Sequence, residues 1–386
     1  PAKAAKQEKM SLPTPSIRSS QCTRYRYRYS ECQRCVDACP HDAIALNDEG
    51  ATVNPKNCQN CALCISACQT GAWSSSNFKL LDLLRQAIKQ PTWSVACAPS
   101  GETADAIVPC LGAVDAVTMG YLAKRGIPLT LHGQWHCDDC PHGKTGAAQL
   151  ALNLEAVDVL HQGAREGAAN SDATVNWMLP QLTMPPQALN RGQDKKPAGE
   201  FAPARRQLFR RLIGRGIDEV ILAKPQQENE PAPAKAIRPG PYSLTERREL
   251  LQIVTQQKDG QPFPVQLHEG LPLMQLTLQP GCTVCEACFR VCPTGALQIE
   301  ENPDAWALQF RIDRCVACQA CLEVCQPRVL DAAASFDARS DQPVQTLISL
   351  NKQRCSRCDR HFVSAVPEKT CAVCRDDEDA FAAIFG

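Results

Sequence analysis

The sequence has no excess charge of either sign, because 41 Lys and Arg balance 41 Asp and Glu in 386 residues. This balance argues against a dedicated nucleic-acid binder and against a protein held on anionic lipid, since both need a basic excess. Long apolar runs are also missing. The longest, residues 106–123, contains Pro109, Gly112 and Asp115 and is too short and too polar to span a bilayer.

Ordinary core-forming residues are scarce as well. The hydrophobic share of 44% includes 24 cysteines in 386 residues, about 6%, which leaves about 38% for ordinary core building. Residues 1–20 hold basic side chains without an apolar stretch, so we expect a flexible segment there and no secretory signal. A cytoplasmic location is therefore expected, where thiols stay reduced and cysteines at this density indicate metal binding.

Fingerprints of a substrate site are absent too. Residues 142–146 read HGKTG, but Asp138 stands where a phosphate loop needs its first glycine. The GRG at residues 214–216 follows a predicted helix and not a strand, which disfavours a dinucleotide site. We find no flavin or radical-SAM pattern either, so we predict no catalytic residue.

Eight cysteines form two runs of spacing C-x2-C-x2-C-x3-C, separated by a predicted hairpin of residues 296–300 and 305–312. Each run resembles the ligand string of bacterial two-cluster ferredoxins, in which three close thiolates bind one [4Fe–4S] cluster and the fourth binds the other. The resemblance implies two ligand sets: Cys282, Cys285, Cys288 and Cys325 for one cluster, and Cys315, Cys318, Cys321 and Cys292 for its partner.

A second group of eight repeats the pattern with one departure. Tyr29 occupies the position of the expected first cysteine, and Cys22 lies ten residues before Cys32. We interpret the intervening stretch as an insertion. The resemblance then implies these ligand sets: Cys22, Cys32, Cys35 and Cys68, and Cys58, Cys61, Cys64 and Cys39. A three-iron cluster, or a substitute ligand in place of Cys22, also fits the spacing.

The inserted stretch alternates arginine with tyrosine: Arg24, Arg26 and Arg28 with Tyr25, Tyr27 and Tyr29. A period of two predicts an extended segment with one cationic and one aromatic face. We favour a solvated β-ribbon whose tyrosines lie against the ferredoxin module. Docking to an acidic partner ranks second, and stacking on nucleic-acid bases ranks third.

Between the two ferredoxin modules the pattern changes to alternating strands and helices. Strands are predicted at residues 93–98, 106–110 and 127–132, and a helix at residues 113–125. Strand, helix and strand at this spacing predict a parallel crossover in an α/β layer. Further helices are predicted at residues 78–89, capped by Ser76 or a neighbouring serine, and at residues 147–161.

The remainder of this region is irregular by composition. Residues 164–202 are predicted to form a loop, and residues 204–212 a helix, followed by a strand at residues 218–223. The helix and the residues after it carry five arginines suited to an acidic partner: Arg205, Arg206, Arg210, Arg211 and Arg215. A linker follows, and Ser243 with Glu246 forms a predicted capping box.

Four cysteines fall at the ends of the central strands: Cys97, Cys110, Cys137 and Cys140. Two single cysteines followed by a close pair resemble thioredoxin-like [2Fe–2S] ferredoxins. Residues 108–140 also resemble the delta subunit of methyl-viologen-reducing hydrogenases. These resemblances imply a thioredoxin-like domain with one iron–sulfur cluster, whose nuclearity stays open. His132, His136 and His142 lie nearby, so a mixed Cys/His site is the alternative to surface histidines.

The last four cysteines form two pairs: Cys355, Cys358, Cys371 and Cys374. Paired thiolates at this spacing resemble a zinc ribbon, in which four sulfurs close a structural tetrahedral site. A rubredoxin-like iron is the alternative. It is disfavoured because Asp359 and Arg375 stand where glycines usually follow the pairs.

We therefore predict an α+β multidomain protein with two ferredoxin-like modules, a central α/β domain of thioredoxin-like type and a zinc ribbon. The predicted order is a flexible terminus (1–20), a ferredoxin module (21–75), the α/β domain (76–225), a linker and helix (226–270), a second ferredoxin module (271–333) and the ribbon (334–386).

The cofactor inventory is four [4Fe–4S] clusters, one further cluster of [2Fe–2S] or other type, and one zinc or iron. It favours a cytoplasmic electron-transfer protein that links a hydrogenase or formate-dehydrogenase type of enzyme to an acceptor. Two alternatives stay open: a maturation or accessory factor for a metalloenzyme, and a reductase with its substrate at the central cluster. We expect a protein redox partner, no nucleic acid and no direct membrane insertion.

Overall fold

The computed structural model describes residues 13–169, 175–183, 235–257 and 260–376. Up to Thr183 and from Ala236 onward, the described residues belong to one compact unit. The arginine-rich helix predicted at 204–212, the strand predicted at 218–223 and residues 1–12 of the predicted flexible terminus lie outside the described residues.

The amino-terminal module is a small hairpin surrounded by short helices. Its elements are β1 (Ser16–Ile17), α1 (Thr23–Arg26), α2 (Arg34–Asp37), β2 (Ile44–Asn47), β3 (Gly50–Val53), α3 (Leu63–Ala67) and β4 (Trp73–Ser74). β2 pairs with β3 and β1 with β4, both antiparallel. Two cysteines belong to the small buried core of this module: Cys35, Ile44, Ala51, Cys64 and Trp73.

The extended conformation predicted for the inserted stretch is wrong, because α1 occupies its first half. The N–H of Tyr27 donates to the carbonyl of Thr23, which closes a helical turn. Successive side chains on a helix point about 100° apart, so arginines and tyrosines do not separate onto two faces there.

The central domain is built on a parallel sheet. Its elements are α4 (Leu80–Ala87), β5 (Trp93–Cys97), β6 (Ala106–Val108), α5 (Ala116–Lys124), β7 (Leu129–His132), α6 (Gly143–Ala168) and β8 (Gln181–Leu182). The strand order is β6-β5-β7-β8, with every neighbour parallel, which confirms the predicted α/β layer. β8 lies in the predicted loop. The serine cap of α4 is wrong, because Lys79 is the N-cap residue and provides no side-chain bond.

The sheet of the carboxyl-terminal module also contains the two strands that lie next to the last four cysteines. Its elements are α7 (Glu246–Thr255), β9 (Pro264–Gln266), β10 (Leu276–Leu278), α8 (Ala287–Val291), β11 (Leu297–Glu301), β12 (Ala305–Phe310), α9 (Ala320–Val324), β13 (Leu330–Ala332), β14 (Ser335–Asp337), β15 (Gln345–Arg354) and β16 (His361–Ser364). The predicted β11–β12 hairpin is confirmed, and β15 and β16 extend it into one antiparallel sheet.

The capping box predicted at the start of α7 is wrong in both residues, because Thr245 is the N-cap and Glu246 is the first helical residue, not the third. Thr245 has extended backbone angles, and its Oγ1 accepts the N–H of Arg248 at 3.1 Å. Ser243 instead donates its backbone N–H to the carbonyl of Pro293. The cap therefore lies two residues further along, where the side-chain oxygen reaches the third helical N–H.

α5 packs against both α6 and α7 and joins the central domain to the rest of the unit. Gly120 of α5 allows this approach, since a Cβ there would lie 3.1 Å from Leu160 and 3.7 Å from Val254. Leu160, Leu251 and Val254 are fully buried. Among the helices that the structure describes, none has the length and apolar character needed to cross a membrane.

Asn153 of α6 is a buried polar link between the amino-terminal module and the central domain. Its Nδ2 donates to the carbonyls of Gly112 at 3.1 Å and Val114 at 2.9 Å, and lies 3.2 Å from Ser66 Oγ. We expect Asn153→Ala to lower the free energy of unfolding by about 2–3 kcal/mol, because buried carbonyls lose their donor. Chemical denaturation checks this, with exposed Gln162→Ala as the control on the same helix. Equal effects of both changes would contradict the assignment.

Candidate metal centres

Three of the four ferredoxin-type cysteine runs share a costly backbone shape. In each run the residues just before and just after the second cysteine have φ between 51° and 63°: Asn60 and Ala62, Val284 and Glu286, and Ala317 and Gln319. Left-handed backbone is uncommon outside glycine, is an outlier for β-branched Val284, and costs of order 1–3 kcal/mol per residue. The same shape in three separate loops indicates that each wraps a group of fixed size. The fourth run departs from it, since Gln33 has φ −126°.

The fourth cysteine of each module accepts a backbone hydrogen bond. Ala43 N–H donates to Cys39 Sγ at 3.3 Å, and Ala296 N–H donates to Cys292 Sγ at 3.3 Å. The donor lies four residues after the cysteine in both modules, so the structure repeats the similarity of their sequences. Such bonds favour the thiolate and adjust the reduction potential of a cluster bound to it.

In the carboxyl-terminal module the thiols form the two sets that the crossing pattern implies. Burial, and after it the thiols of Cys282, Cys285 and Cys325, raise the pKa of Cys288 to about 12. The other four cysteines line one cavity together: Cys292, Cys315, Cys318 and Cys321. Burial raises the pKa values of Cys315, Cys318 and Cys321, so thiols gathered here ionise favourably only beside a cation. The residues therefore fit a metal cluster at each set.

In the amino-terminal module Cys22 lies near the other three cysteines of its predicted set, Cys32, Cys35 and Cys68. Burial raises the pKa of Cys22, and the nearby thiols of Cys68 and Cys32 raise it further. Burial and the thiols of Cys68, Cys32 and Cys22 likewise raise the pKa of Cys35 to about 12, although a hydrogen bond with Trp73 opposes this shift.

The second set of this module is equally compact. Burial, and to a smaller extent the thiols of Cys39 and Cys58, raise the pKa of Cys61 to about 11. Burial also raises the pKa of Cys64, next to Cys61, Cys58 and Cys39. Both predicted groupings are therefore brought together, while the role of Cys22 as a ligand stays a prediction.

The four central cysteines converge at the carboxyl ends of parallel strands and line one cavity: Cys97, Cys110, Cys137 and Cys140. Cys97 ends β5, Cys110 follows β6, and the other two follow β7. These ends share one sheet edge, where parallel sheets usually bind their ligands. Gly146 of α6 allows the close approach, because a Cβ there would lie 2.9 Å from Cys110 Sγ.

A pair of histidines lies between the central site and the amino-terminal module. His142 is buried, and its Nδ1 lies 3.0 Å from His41 Nε2, a hydrogen-bonding distance. Burial lowers the pKa of both rings. Cys61 joins them within 4.8 Å. His142 is thus not a surface histidine. Sequence reasoning missed His41, because His41 and His142 are 101 residues apart in the chain.

The last four cysteines form a compact group whose sulfurs lie within 4.8 Å of one another: Cys355, Cys358, Cys371 and Cys374. Cys371 N–H donates to Cys355 Sγ at 3.3 Å. Backbone N–H groups of Cys358 and Cys371 lower the pKa of Cys355 to about 6, which favours the thiolate that a metal needs. The residues fit a four-sulfur metal site.

Arg248 is a buried cation that sequence reasoning missed. It lies beside the Cys292 set, which also contains Cys315. Its Nε donates to Cys315 O at 2.8 Å and its Nη2 to Ile312 O at 2.6 Å, while the side chain is fully buried. Burial lowers its pKa to about 10, so the guanidinium keeps its charge at neutral pH. A separation of 67 residues hides this contact from any local pattern.

Two segments of the chain are similar to the 4Fe-4S dicluster domain family, residues 30–72 and residues 281–329. They confirm the prediction of ferredoxin-type iron–sulfur modules at two separate places. Cys22 precedes the first segment, and the central domain and the carboxyl-terminal cysteines lie outside both. The thioredoxin-like and zinc-ribbon assignments therefore stay predictions. No curated protein matches the chain.

Proposed function

We propose that the chain is a multi-cluster electron-transfer protein that relays electrons between a redox enzyme and an acceptor. Similarity of two segments to the dicluster family supports an iron–sulfur electron-transfer role. The observation that carries the fuller proposal is the convergence of twenty cysteines into five separate sets within one compact unit.

Each ferredoxin-like module would hold two [4Fe–4S] clusters on the sets described above. A bound cluster supplies reversible one-electron chemistry. The chain's own residues shield all of these thiols except Cys285 at least partly from water, donate N–H groups from Ala43 and Ala296, and place the Arg248 charge beside Cys315. These contacts adjust how readily each site accepts an electron.

The central set would hold one further iron–sulfur cluster, of [2Fe–2S] or other type. The position of its cysteines at the carboxyl edge of a parallel sheet supports a bound group there. The resemblance to thioredoxin-like ferredoxins and to the hydrogenase delta subunit favours a hydrogenase or formate-dehydrogenase type of partner in the cytoplasm.

The carboxyl-terminal set would hold structural zinc, because four sulfurs leave no open coordination position. We expect Cys371→Ala to remove one zinc per chain and leave the iron content unchanged, as elemental analysis of the purified protein would measure. Exposed His361→Ala is the control and should keep the metal. Iron in place of zinc in the unchanged protein would contradict the zinc assignment.

Anaerobic reconstitution followed by an EPR-monitored redox titration tests the proposed function. We expect all iron–sulfur sites to be reduced and reoxidised reversibly by low-potential one-electron carriers. Clusters that are lost or transferred to another protein during the titration would instead indicate a maturation factor. A central site that binds an added small ligand would indicate a reductase.

A further inference from the structure

The inserted stretch between Cys22 and Cys32 contacts the other ferredoxin-like module. Arg26 is fully buried. Its guanidinium donates to the carbonyls of Ser20, Gly240 and Pro241 and, at 3.3 Å, to that of Cys292. A buried arginine with four acceptors is a built contact, because an unsatisfied buried guanidinium would cost several kcal/mol.

Tyr27 continues the contact with apolar packing. It is buried and packs in one cluster with Val291 of α8 and with Ala320 and Val324 of α9. These helices carry or flank the cysteines of the carboxyl-terminal module. Tyr29, two residues on, is 64% exposed and therefore offers a natural comparison within the same stretch.

The backbone of the stretch is also fixed. Tyr27 forms an antiparallel bridge with Ile237, and Arg238 N–H donates to Arg26 O at 2.8 Å. The Arg238 guanidinium lies 4.8 Å from the centre of the Tyr25 ring. The segment that leads into the carboxyl-terminal module is thus bound to the insertion through both backbone and side chains.

A second, independent contact joins the same two modules through α7. Arg247 Nη1 donates to Ser66 O at 2.7 Å, and its Nη2 also donates to Cys68 O. The next residue, Arg248, donates to Cys315 O in the other module. Adjacent arginines therefore hold cysteine loops that belong to different modules.

These contacts place cysteine sets of different modules side by side. Tyr27, which lies five residues from both Cys22 and Cys32, packs in one cluster with Cys288 and Cys318 of the other module. At the next junction Cys61 and Cys110 share one apolar cluster with Leu63. This second contact connects the amino-terminal module to the central site.

Within each module the two sets also adjoin. Cys35 and Cys64 belong to one buried cluster, and α8, which carries Cys288, packs against α9, which carries Cys321. Four junctions therefore connect five sets. All twenty cysteines are described by the structure, and Cys285 alone among them is exposed.

We propose that the insertion, residues 24–29, is an internal connector that holds the Cys292 set beside the Cys22 set, so that all five sets form one series. The series starts at the set that contains exposed Cys285. It continues through the sets that contain Cys292, Cys22 and Cys39, and it ends at the central set, which contains Cys97. This inference rests on the proposed function. Arg26 and Tyr27 are positioning residues in it, and the buried Arg26 does not face an external partner.

The test is EPR of the fully reduced, frozen holoprotein at two microwave frequencies, with iron per chain measured for each sample. Splittings that stay constant in field units report spin–spin interaction between neighbouring sites. We expect wild type and Tyr29→Ala to show interaction across the modules. Tyr27→Ala and Arg26→Lys should lose that part of the splitting while they keep their iron and the interaction within each module.

Identical spectra for Tyr27→Ala, Arg26→Lys and wild type would overturn the proposal. A wild-type spectrum that fits two independent pairs would overturn it without any variant, which covers the case in which the variants fail to fold. Excess chemical reductant is added once before freezing, so the result does not depend on cycling. If the titration is irreversible but the spin–spin interaction across the modules is present, only the proposed function is overturned. If the titration is reversible but the spectrum fits independent pairs of sites, only the proposed series is overturned.

Discussion

Removing iron from the holoprotein is expected to unfold the amino-terminal ferredoxin-like module while the central sheet stays folded. The module's own core cluster holds five residues, two of them cysteines, and its other buried apolar residues are mostly alanines, so apolar burial is small without the clusters. Metal binding contributes on the order of 10 kcal/mol to the folding of small metal-dependent domains. The left-handed residues Asn60 and Ala62 add a cost that only a bound group offsets.

Hydrogen exchange measured by mass spectrometry would locate this change. Amides of β2, β3 and α3 should lose protection in the iron-free protein, while those of β5 and β7 should keep it, because β5 and β7 belong to a large apolar core. The holoprotein of the Cys371→Ala variant is the matched control, since it loses only the carboxyl-terminal metal. Unchanged protection of β2 and β3 after iron removal would show that the clusters do not support the fold.

Replacing Arg248 by methionine is expected to lower the reduction potential of the Cys315 site and to destabilise its module. A buried positive charge beside Cys315 favours the more negative, reduced state, so its loss makes reduction harder. A shift on the order of 60 mV corresponds to a tenfold change for a one-electron couple. The carbonyls of Cys315 and Ile312 also lose their donor, which we expect to cost about 3 kcal/mol.

An EPR-monitored potentiometric titration measures the shift, and thermal unfolding of the holoprotein measures the stability. Arg290→Met is the matched control. That side chain lies in the same module but is half exposed and pairs with Glu286 at i,i+4, so water screens its charge and the effect should be small. A potential that changes equally in both variants would mean that net charge, and not the buried contact, governs this site.

The structure brings together cysteines that the spacings group, while their role as cluster ligands stays a prediction. Three thiolates within seven residues must face one group, and all three lie on a single short loop. The parallel central sheet and the β11–β12 hairpin were predicted for a similar reason, since strand and helix periodicity is local. The caps failed because Ser243 and Thr245 are equally suited by residue type, and only the backbone entering α7 decides between them.

By itself, the sequence determined how many cysteine sets there are and which cysteines share a loop, because short spacing limits what a chain can reach. Only the tertiary structure decided that Cys22 meets Cys32 and Cys68, that Arg26 reaches Cys292, and that β15 extends the hairpin of the second module. Contacts between residues tens to hundreds of positions apart depend on the packing of whole elements, and no local pattern encodes them. The scarcity of ordinary core residues fits the same packing, in which buried cysteines and arginines occupy the junctions.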